Sequence, residues 1–333
     1  VRLSALAALP WLLGAVACGV DERVDDPAPG EPSSGPTFVE QRPSSCGGDC
    51  ASREFAQWPI THSATEPGAF PFAFRGEGEW VVDAHTELAW TSEAFGPFTF
   101  QEASEHCARL GDTSSQPVRL PTRIELVSLL DRSRRPTVAD APFGSTPADY
   151  FWTTTPFVAG EELVFSVYFG LGETATGLKH QRSAHVRCVR GGRQVTRERL
   201  RRSGDELLDG GTQLVWELPV SSVPLPLAAA RLYCSDRRRS SGQPWRLPTD
   251  KELQTLVDPR RSLPAVWVEL EPETPPEPFW AQAPPGAAPL TVDFATGLAL
   301  ITEPDEKHFV RCVAWDGRDL SGGAASNSDS GVD

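Results

Sequence analysis

The sequence predicts an α+β fold in two tandem copies, each with two helices, small antiparallel sheets and one disulfide joining its first helix to its last strand. Three observations carry this expectation: an internal repeat, a helix-capping signal that recurs within the repeat, and cysteines at equivalent points of both copies.

The repeat has a period of about 126 residues. Asp83-x-x-Thr86-x-Leu88-x-Trp90 returns as Asp209-x-x-Thr212-x-Leu214-x-Trp216, and Cys107 returns as Cys234. Arg119-Leu-Pro-Thr122-x-x-Glu125-Leu126-x-x-Leu129 returns as Arg246-Leu-Pro-Thr249-x-x-Glu252-Leu253-x-x-Leu256. Phe151-Trp152 returns as Phe279-Trp280, and Val186-Arg187-Cys188-Val189 as Val310-Arg311-Cys312-Val313. Matched blocks in one order at nearly constant offset mark two homologous domains, read as 78–193 and 204–316.

Local chemistry assigns the elements. Thr99-x-x-Glu102 is a capping box, so a helix is expected with Phe100, Ala103, Cys107 and Leu110 on one face and Gly111 at its end. Thr122-x-x-Glu125 and Thr249-x-x-Glu252 repeat the device after a proline, which predicts an extended segment turning into a second helix. Glu125 and Glu252 are therefore read as caps, not as catalytic acids. Glu162–Phe169, Ala184–Arg190, Leu290–Ala295 and His308–Val313 are β-branched and aromatic between turn residues, and read as antiparallel strands.

The seven cysteines divide unequally. Within the repeat, Cys107 pairs with Cys188 and Cys234 with Cys312. Cys46 and Cys50, in Cys-Gly-Gly-Asp-Cys, are left to form a small loop of their own, and Cys18 stands apart. A zinc site would need a second cysteine pair that the sequence does not supply.

Residues 1–18 read as a lipoprotein-type signal. Arg2 opens it, Leu6 to Ala17 are mostly apolar, and Ala15-Val16-Ala17-Cys18-Gly19 resembles the box in which a cysteine is lipidated, so Cys18 is the expected lipid anchor. Residues 19–45 are rich in Pro, Gly, Ser and acids and are read as a disordered tether, 46–77 as a linker with the small Cys loop, and 317–333 as a disordered tail. The expected localisation is exported and membrane-anchored, at the outer membrane or cell surface.

Taken together, the Trp-bearing strand, the RLPT-x-x-EL turn, the Phe-Trp pairs and the closing VRCV segment resemble the Lcl C-terminal domain family, also called DUF1566, in two copies. The resemblance implies a C-type-lectin-like α+β fold in which a helix cysteine bonds to the last strand. It also implies a bacterial envelope or surface protein that binds; some members are associated with adhesion to sulfated polysaccharides.

Composition and motifs narrow the chemistry. The formal net charge of −14 opposes nucleic-acid binding. No common nucleophile, phosphate or dinucleotide signature occurs, the six histidines are scattered, and no cofactor or metal is expected. Glu303-Pro304-Asp305 resembles one element of a lectin calcium site but is read as a polar turn, because no Trp-Asn-Asp follows. A basic island runs against this acidic background: Lys179, Arg182, Arg187, Arg190, Arg193, Arg197, Arg199, Arg201 and Arg202. Of these, Lys179, Arg182, Arg193, Arg197, Arg199, Arg201 and Arg202 are candidates for a polyanion site, the competing reading being a linker whose arginines pair with neighbouring acids. The repeated tryptophans are assigned to cores, and the unrepeated Trp245 and Trp267 to a surface role.

The expected function is a non-enzymatic adhesion-type envelope lipoprotein whose two domains bind a polysaccharide or a surface protein. The alternatives are a structural or assembly protein that binds only proteins and, behind it, an enzyme of envelope polymers.

Overall fold

Sixteen strands of three to seven residues and a few short helices carry the fold of the described residues. The computed structural model describes residues 54–62, 71–111, 116–137, 142–192, 200–241 and 244–315, without the side chains of 238–241. All of these fall in one unit of the chain, Ser45–Asp333. Residues 1–18 with Cys18, the segment 19–45, Cys46, Cys50, Arg193, Arg197, Arg199 and the segment 317–333 lie outside the described residues.

The first copy runs β1 (Phe74–Glu77), β2 (Trp80–Asp83), β3 (Leu88–Thr91), β4 (Phe95–Phe98), α1 (Phe100–Gly111), α2 (Arg123–Ser128), β5 (Tyr150–Pro156), β6 (Leu163–Tyr168), β7 (Glu173–Leu178), β8 (Ala184–Val186) and β9 (Val189–Gly191). The second runs β10 (Leu200–Ser203), β11 (Glu206–Asp209), β12 (Leu214–Glu217), α3 (Leu227–Ser241), α4 (Asp250–Gln254), a 3-10 turn (Val268–Glu273), β13 (Pro278–Ala281), β14 (Leu290–Asp293), β15 (Leu298–Ile301) and β16 (Val313–Trp315). The sheet β1-β2-β3-β9 has its counterpart in β10-β11-β12-β16, and β4-β8-β5-β6-β7 in the smaller β13-β14-β15. Each of the two four-stranded sheets thus starts one strand before the repeated Asp-x-x-Thr block. The architecture is the expected α+β fold in two tandem copies.

Asp-x-x-Thr is a turn lock. The Asp83 carboxylate accepts from the His85 amide (2.9 Å) and the Thr86 hydroxyl (2.8 Å), which lets Glu87 take a positive φ of 58° and send β3 back along β2. Asp209 accepts from the Gly211 and Thr212 amides, with Gln213 at φ 62°. A third lock that the repeat did not reveal joins β14 to β15: Asp293 accepts from the Ala295 amide (2.8 Å) and the Thr296 hydroxyl (2.7 Å) ahead of Gly297 at φ 80°.

Two strand expectations change. Ala184–Arg190 is not one strand: β8 and β9 lie in different sheets, and Arg187-Cys188 forms the break, since Arg187 turns inward and Cys188 bonds to α1. β8 also runs parallel to β5, with Phe151 opposite His185, where an antiparallel pairing was expected. In the second copy His308 to Val313 makes only isolated bridges before β16 begins, and Cys312 occupies the equivalent break. The cysteine pairing is as expected, Cys107–Cys188 and Cys234–Cys312, but the second cysteine of each pair sits at this crossing between sheets and not inside a strand.

Each disulfide lies in a satellite core of its own copy. In the first, Ala103, Cys107, Leu120, Trp152, Val186 and Cys188 pack together; in the second, Ala230, Cys234, Trp245, Leu247, Trp280 and Cys312 do. The largest core belongs to both copies at once, with Leu126, Phe151 and Phe169 packed in one cluster with Leu253, Phe279 and Phe294. The surface role expected for Trp245 and Trp267 is overturned, since both are buried. Trp245 fills the second satellite core where the first copy has the smaller Val118, and Trp267 stacks on Phe55 at 3.9 Å while donating to the Thr255 carbonyl.

The copies meet through α2 and α4. Arg123 donates to the Gln254 side chain (3.0 Å) and backbone carbonyl (2.9 Å), and Lys251 donates to the Ser128 carbonyl (3.1 Å). Residues 54–62 lie across this seam as a strap. Lys251 donates to Thr61 O (2.6 Å), Thr155 donates to the Glu54 carboxylate (2.9 Å), and His62 stands 3.2 Å from the Thr249 hydroxyl. Trp58, Ile60 and Thr61 line a cavity of about 10 Å³ with Ile124, Val127, Ser128 and Lys251, room for one water. At the far side, the Ala299 amide donates to the Thr174 hydroxyl (2.7 Å) and the Ile301 amide to Glu173 (3.0 Å), which ties β15 to β7.

Two outcomes follow. Replacing Cys107 and Cys188 together by alanine opens a covalent link 81 residues apart in sequence, and should cost roughly 4 kcal/mol in urea unfolding, with a comparable loss for Cys234 and Cys312. Burial pushes the Glu54 carboxyl up to about 7, against the Thr155 hydrogen bond and the charge of Arg123. Between its unfolded value and about 7 the folded chain holds a proton that the unfolded chain has released, so Glu54 subtracts stability as pH rises through that window. Thermal melts of Glu54→Gln and the unaltered chain should therefore diverge in favour of the variant from pH 5 to pH 8; a pH-independent difference would refute it.

Candidate functional site

The most conspicuous motifs are spent on architecture. Arg119 grips Glu125 with two hydrogen bonds (2.8 and 2.7 Å), and Arg246 grips Glu252 likewise (2.7 and 2.6 Å). Each glutamate also accepts from the amide of its cap threonine at 2.8 Å, while the Thr122 and Thr249 hydroxyls cap α2 and α4 in return. Burial alone would raise the Glu252 carboxyl, but the charge and hydrogen bonds of Arg246, with His62, hold it well below the usual carboxylate range. Glu125 and Glu252 are the caps that the sequence predicts.

The arginines of the two VRCV blocks are internal braces. Arg187 donates to the Thr91 (2.6 Å) and Ser92 (2.5 Å) carbonyls and to the Thr146 hydroxyl (2.7 Å). Arg311 donates to the Glu217 (2.8 Å) and Leu218 (2.7 Å) carbonyls and to Thr274 (2.6 Å). Burial lowers both guanidiniums to about 10, so both remain cations at neutral pH. Arg187 is thereby removed from the basic island.

The remaining members of the island divide between sheets. Lys179 and Arg182 stand between β7 and β8 of the first copy, whereas Arg201 and Arg202 lie on β10 of the second, where Arg202 pairs with Glu273 at 2.5 Å and Arg201 is exposed. Arg190 rests over the Trp80 ring at 4.0 Å. Lys179 donates to Glu161 O (2.6 Å) and lies 5.7 Å from the Phe100 ring. Arg182 is placed differently: its guanidinium lies over the Tyr150 ring at 3.6 Å and donates through Nη1 to Thr176 O at 2.9 Å.

Sequence reasoning passed over the aromatic partners of Arg182. Tyr150 opens β5 and faces Tyr168 at the end of β6, their rings 4.7 Å apart and tilted by 34°. Both are half-buried. Beside them Asp149 accepts from the Tyr150 amide (2.7 Å) and approaches His185 at 3.7 Å. The available signal was composition: the chain has 16 Phe but only 3 Tyr, and two of the three meet here. A chain that fills its cores with Phe places Tyr where a ring and a hydroxyl are both used.

The motif lock and the surface cluster differ in what their loss should do. Arg246→Met leaves the Glu252 carboxylate buried without its main partner and should cost about 3 kcal/mol in urea unfolding. A loss below about 1 kcal/mol would show that the pair is not holding α4.

Among the described residues no helix is long and apolar enough to cross a membrane. No curated protein matched the sequence. The family model described as the Lcl C-terminal domain matches residues 79–190 and again 205–314, well over half of the chain. Each match begins after the first strand of its copy, β1 or β10, and ends within one residue of the end of its last, β9 or β16, and the chain belongs to the Lcl C-terminal domain family, which it carries twice in tandem.

Proposed function

We propose that the chain is an exported lipoprotein of the cell envelope, anchored through Cys18, whose two C-type-lectin-like domains bind an extracellular polysaccharide in an adhesion-type role without catalysing a reaction. The observation that carries this reading is the surface cluster of Tyr150, Tyr168 and Arg182, where rings suited to sugar faces adjoin a guanidinium suited to acidic groups. Two disulfides inside tandem domains fit an oxidising compartment. The bond from each first helix to the break before the closing strand fits the lectin-like placement of cysteines.

Cells fed labelled palmitate should label this chain and not its Cys18→Ser variant; equal labelling of both would remove the anchor. Full chain in detergent, passed over an array of neutral, carboxylated and sulfated glycans with and without calcium, should be retained by acidic glycans independently of calcium and less strongly as salt rises. Retention by no glycan, together with a stable protein complex recovered by crosslinking on intact cells, would replace this reading with an assembly protein that binds only proteins.

A further inference from the structure

The two copies are inequivalent at the Tyr150 cluster. Phe151-Trp152 corresponds to Phe279-Trp280, so Pro278 stands in the place of Tyr150. The strand pairing sets Pro278 opposite Asp293, as it sets Tyr150 opposite Tyr168. Counting four residues back from the valine that opens each VRCV block, Glu306 stands in the place of Arg182. A ring, a ring and a cation in the first copy are thus a proline and two acids in the second. Asp293 is moreover occupied in locking its turn, whereas at the same position Tyr168 is released from that duty: the β6–β7 turn closes through its backbone, Gly172 N to Tyr168 O at 2.8 Å.

Arg182 is held ready for a ligand. Tyr150 beneath it and the Thr176 carbonyl fix its plane, and a Cβ on Gly177 would lie 3.2 Å from its stem, so the glycine lets it settle against β7. Nη1 is used. Nε and Nη2 have no partner among the described residues and are not buried, nor do the Tyr150 and Tyr168 hydroxyls have one. A fixed guanidinium with a free Nε–Nη2 edge matches the two coplanar oxygens of a carboxylate, and it loses little freedom on binding. The tyrosine rings offer faces for the C–H groups of a sugar, and the Asp149 carboxylate offers an acceptor for its hydroxyls.

We infer that the first copy alone holds the carbohydrate site, and that Arg182, Tyr150, Tyr168 and Asp149 take a pyranose ring bearing a carboxylate, a uronic acid residue of a polysaccharide. This rests on the polysaccharide reading above and assigns its site and ligand chemistry. The acids Asp293 and Glu306 turn the second copy away from the same ligand.

The test measures binding of the full chain, in detergent, to polygalacturonate, fully methyl-esterified polygalacturonate, dextran sulfate and polyglutamate. Polygalacturonate should bind, and its ester, which keeps the rings and loses the charge, should bind at least tenfold more weakly. Arg182→Gln and Tyr150→Ala should each weaken polygalacturonate binding about tenfold, the size of one charge-assisted hydrogen bond or one good stacking contact. Arg182→Lys keeps the charge and the stem and should still lose several-fold, because it lacks the fork. Glu306→Gln in the second copy should change nothing. Melting temperatures matched to the unaltered chain show that the variants fold.

Unchanged binding by folded Arg182→Gln or Arg182→Lys, or loss of binding on Glu306→Gln, would overturn the site while leaving a polysaccharide binder in place. Equal binding of the ester or of dextran sulfate would overturn the carboxylate. Polyglutamate bound as tightly as polygalacturonate would replace the sugar with an acidic peptide. Binding of none of the polymers by the unaltered chain, and of no glycan on the array, would overturn the polysaccharide reading itself.

Discussion

Two helices of six and five residues, α2 and α4, carry the junction of the molecule, and neither could persist alone in water. What makes them possible is the lock that each copy builds from Arg, Thr and Glu: a fork onto a carboxylate that simultaneously satisfies the first turn of the helix. With their first turns satisfied, α2 and α4 can bury every residue and face one another. Arg123 then reaches across to Gln254, and Lys251 reaches back to Ser128 and out to the strap. The shared core forms behind this contact, so the two sequence copies are not two independent cores but two halves of one, each with a disulfide-bearing satellite.

A consequence appears in the charge distribution. The chain has 31 Lys and Arg against 45 Asp and Glu, yet Arg123, Arg132, Arg187, Lys251 and Arg311 are buried, and their side chains donate to carbonyls, hydroxyls and a side-chain amide. Asp83, Glu125, Asp131, Asp209, Glu217, Asp250, Glu252 and Asp258 are buried too, so among the described residues burial takes more acids than bases from the surface. What distinguishes Arg182 is its setting, over the Tyr150 ring beside Tyr168 and fixed by the Thr176 carbonyl, and that carries more weight than the length of the basic island in which it occurs.

What was legible in the sequence was what is local or duplicated. Capping boxes declare themselves within four residues, and duplication turned six cysteines into two defined pairs with Cys46 and Cys50 left over. What was not legible depends on where the copies differ or on contacts far apart along the chain. Trp245 and Trp267 looked like surface residues because they are unrepeated, but an unrepeated bulky side chain is also what fills a gap that opens when the copies diverge; Trp245 stands where the first copy has Val118. The strap 54–62 could not be foreseen, since its value lies in covering a seam that exists only after both copies have folded. Tyr150, Tyr168 and Arg182 are spread over three elements, and only the β5–β6 register and the turn after β7 unite them.

The seam also gives a physical reason for two copies where one carries the distinctive surface. The core packed behind α2 is completed by Leu253, Leu256, Val257, Phe279 and Phe294, all from the second copy. A first copy alone would expose that face to water at a cost of roughly 2 kcal/mol for each large apolar side chain uncovered. The second copy therefore serves the first by burial, a role that constrains its inward residues and leaves Pro278, Asp293 and Glu306 free to differ from Tyr150, Tyr168 and Arg182. Identical locks within and unlike surfaces without are what that division of labour requires.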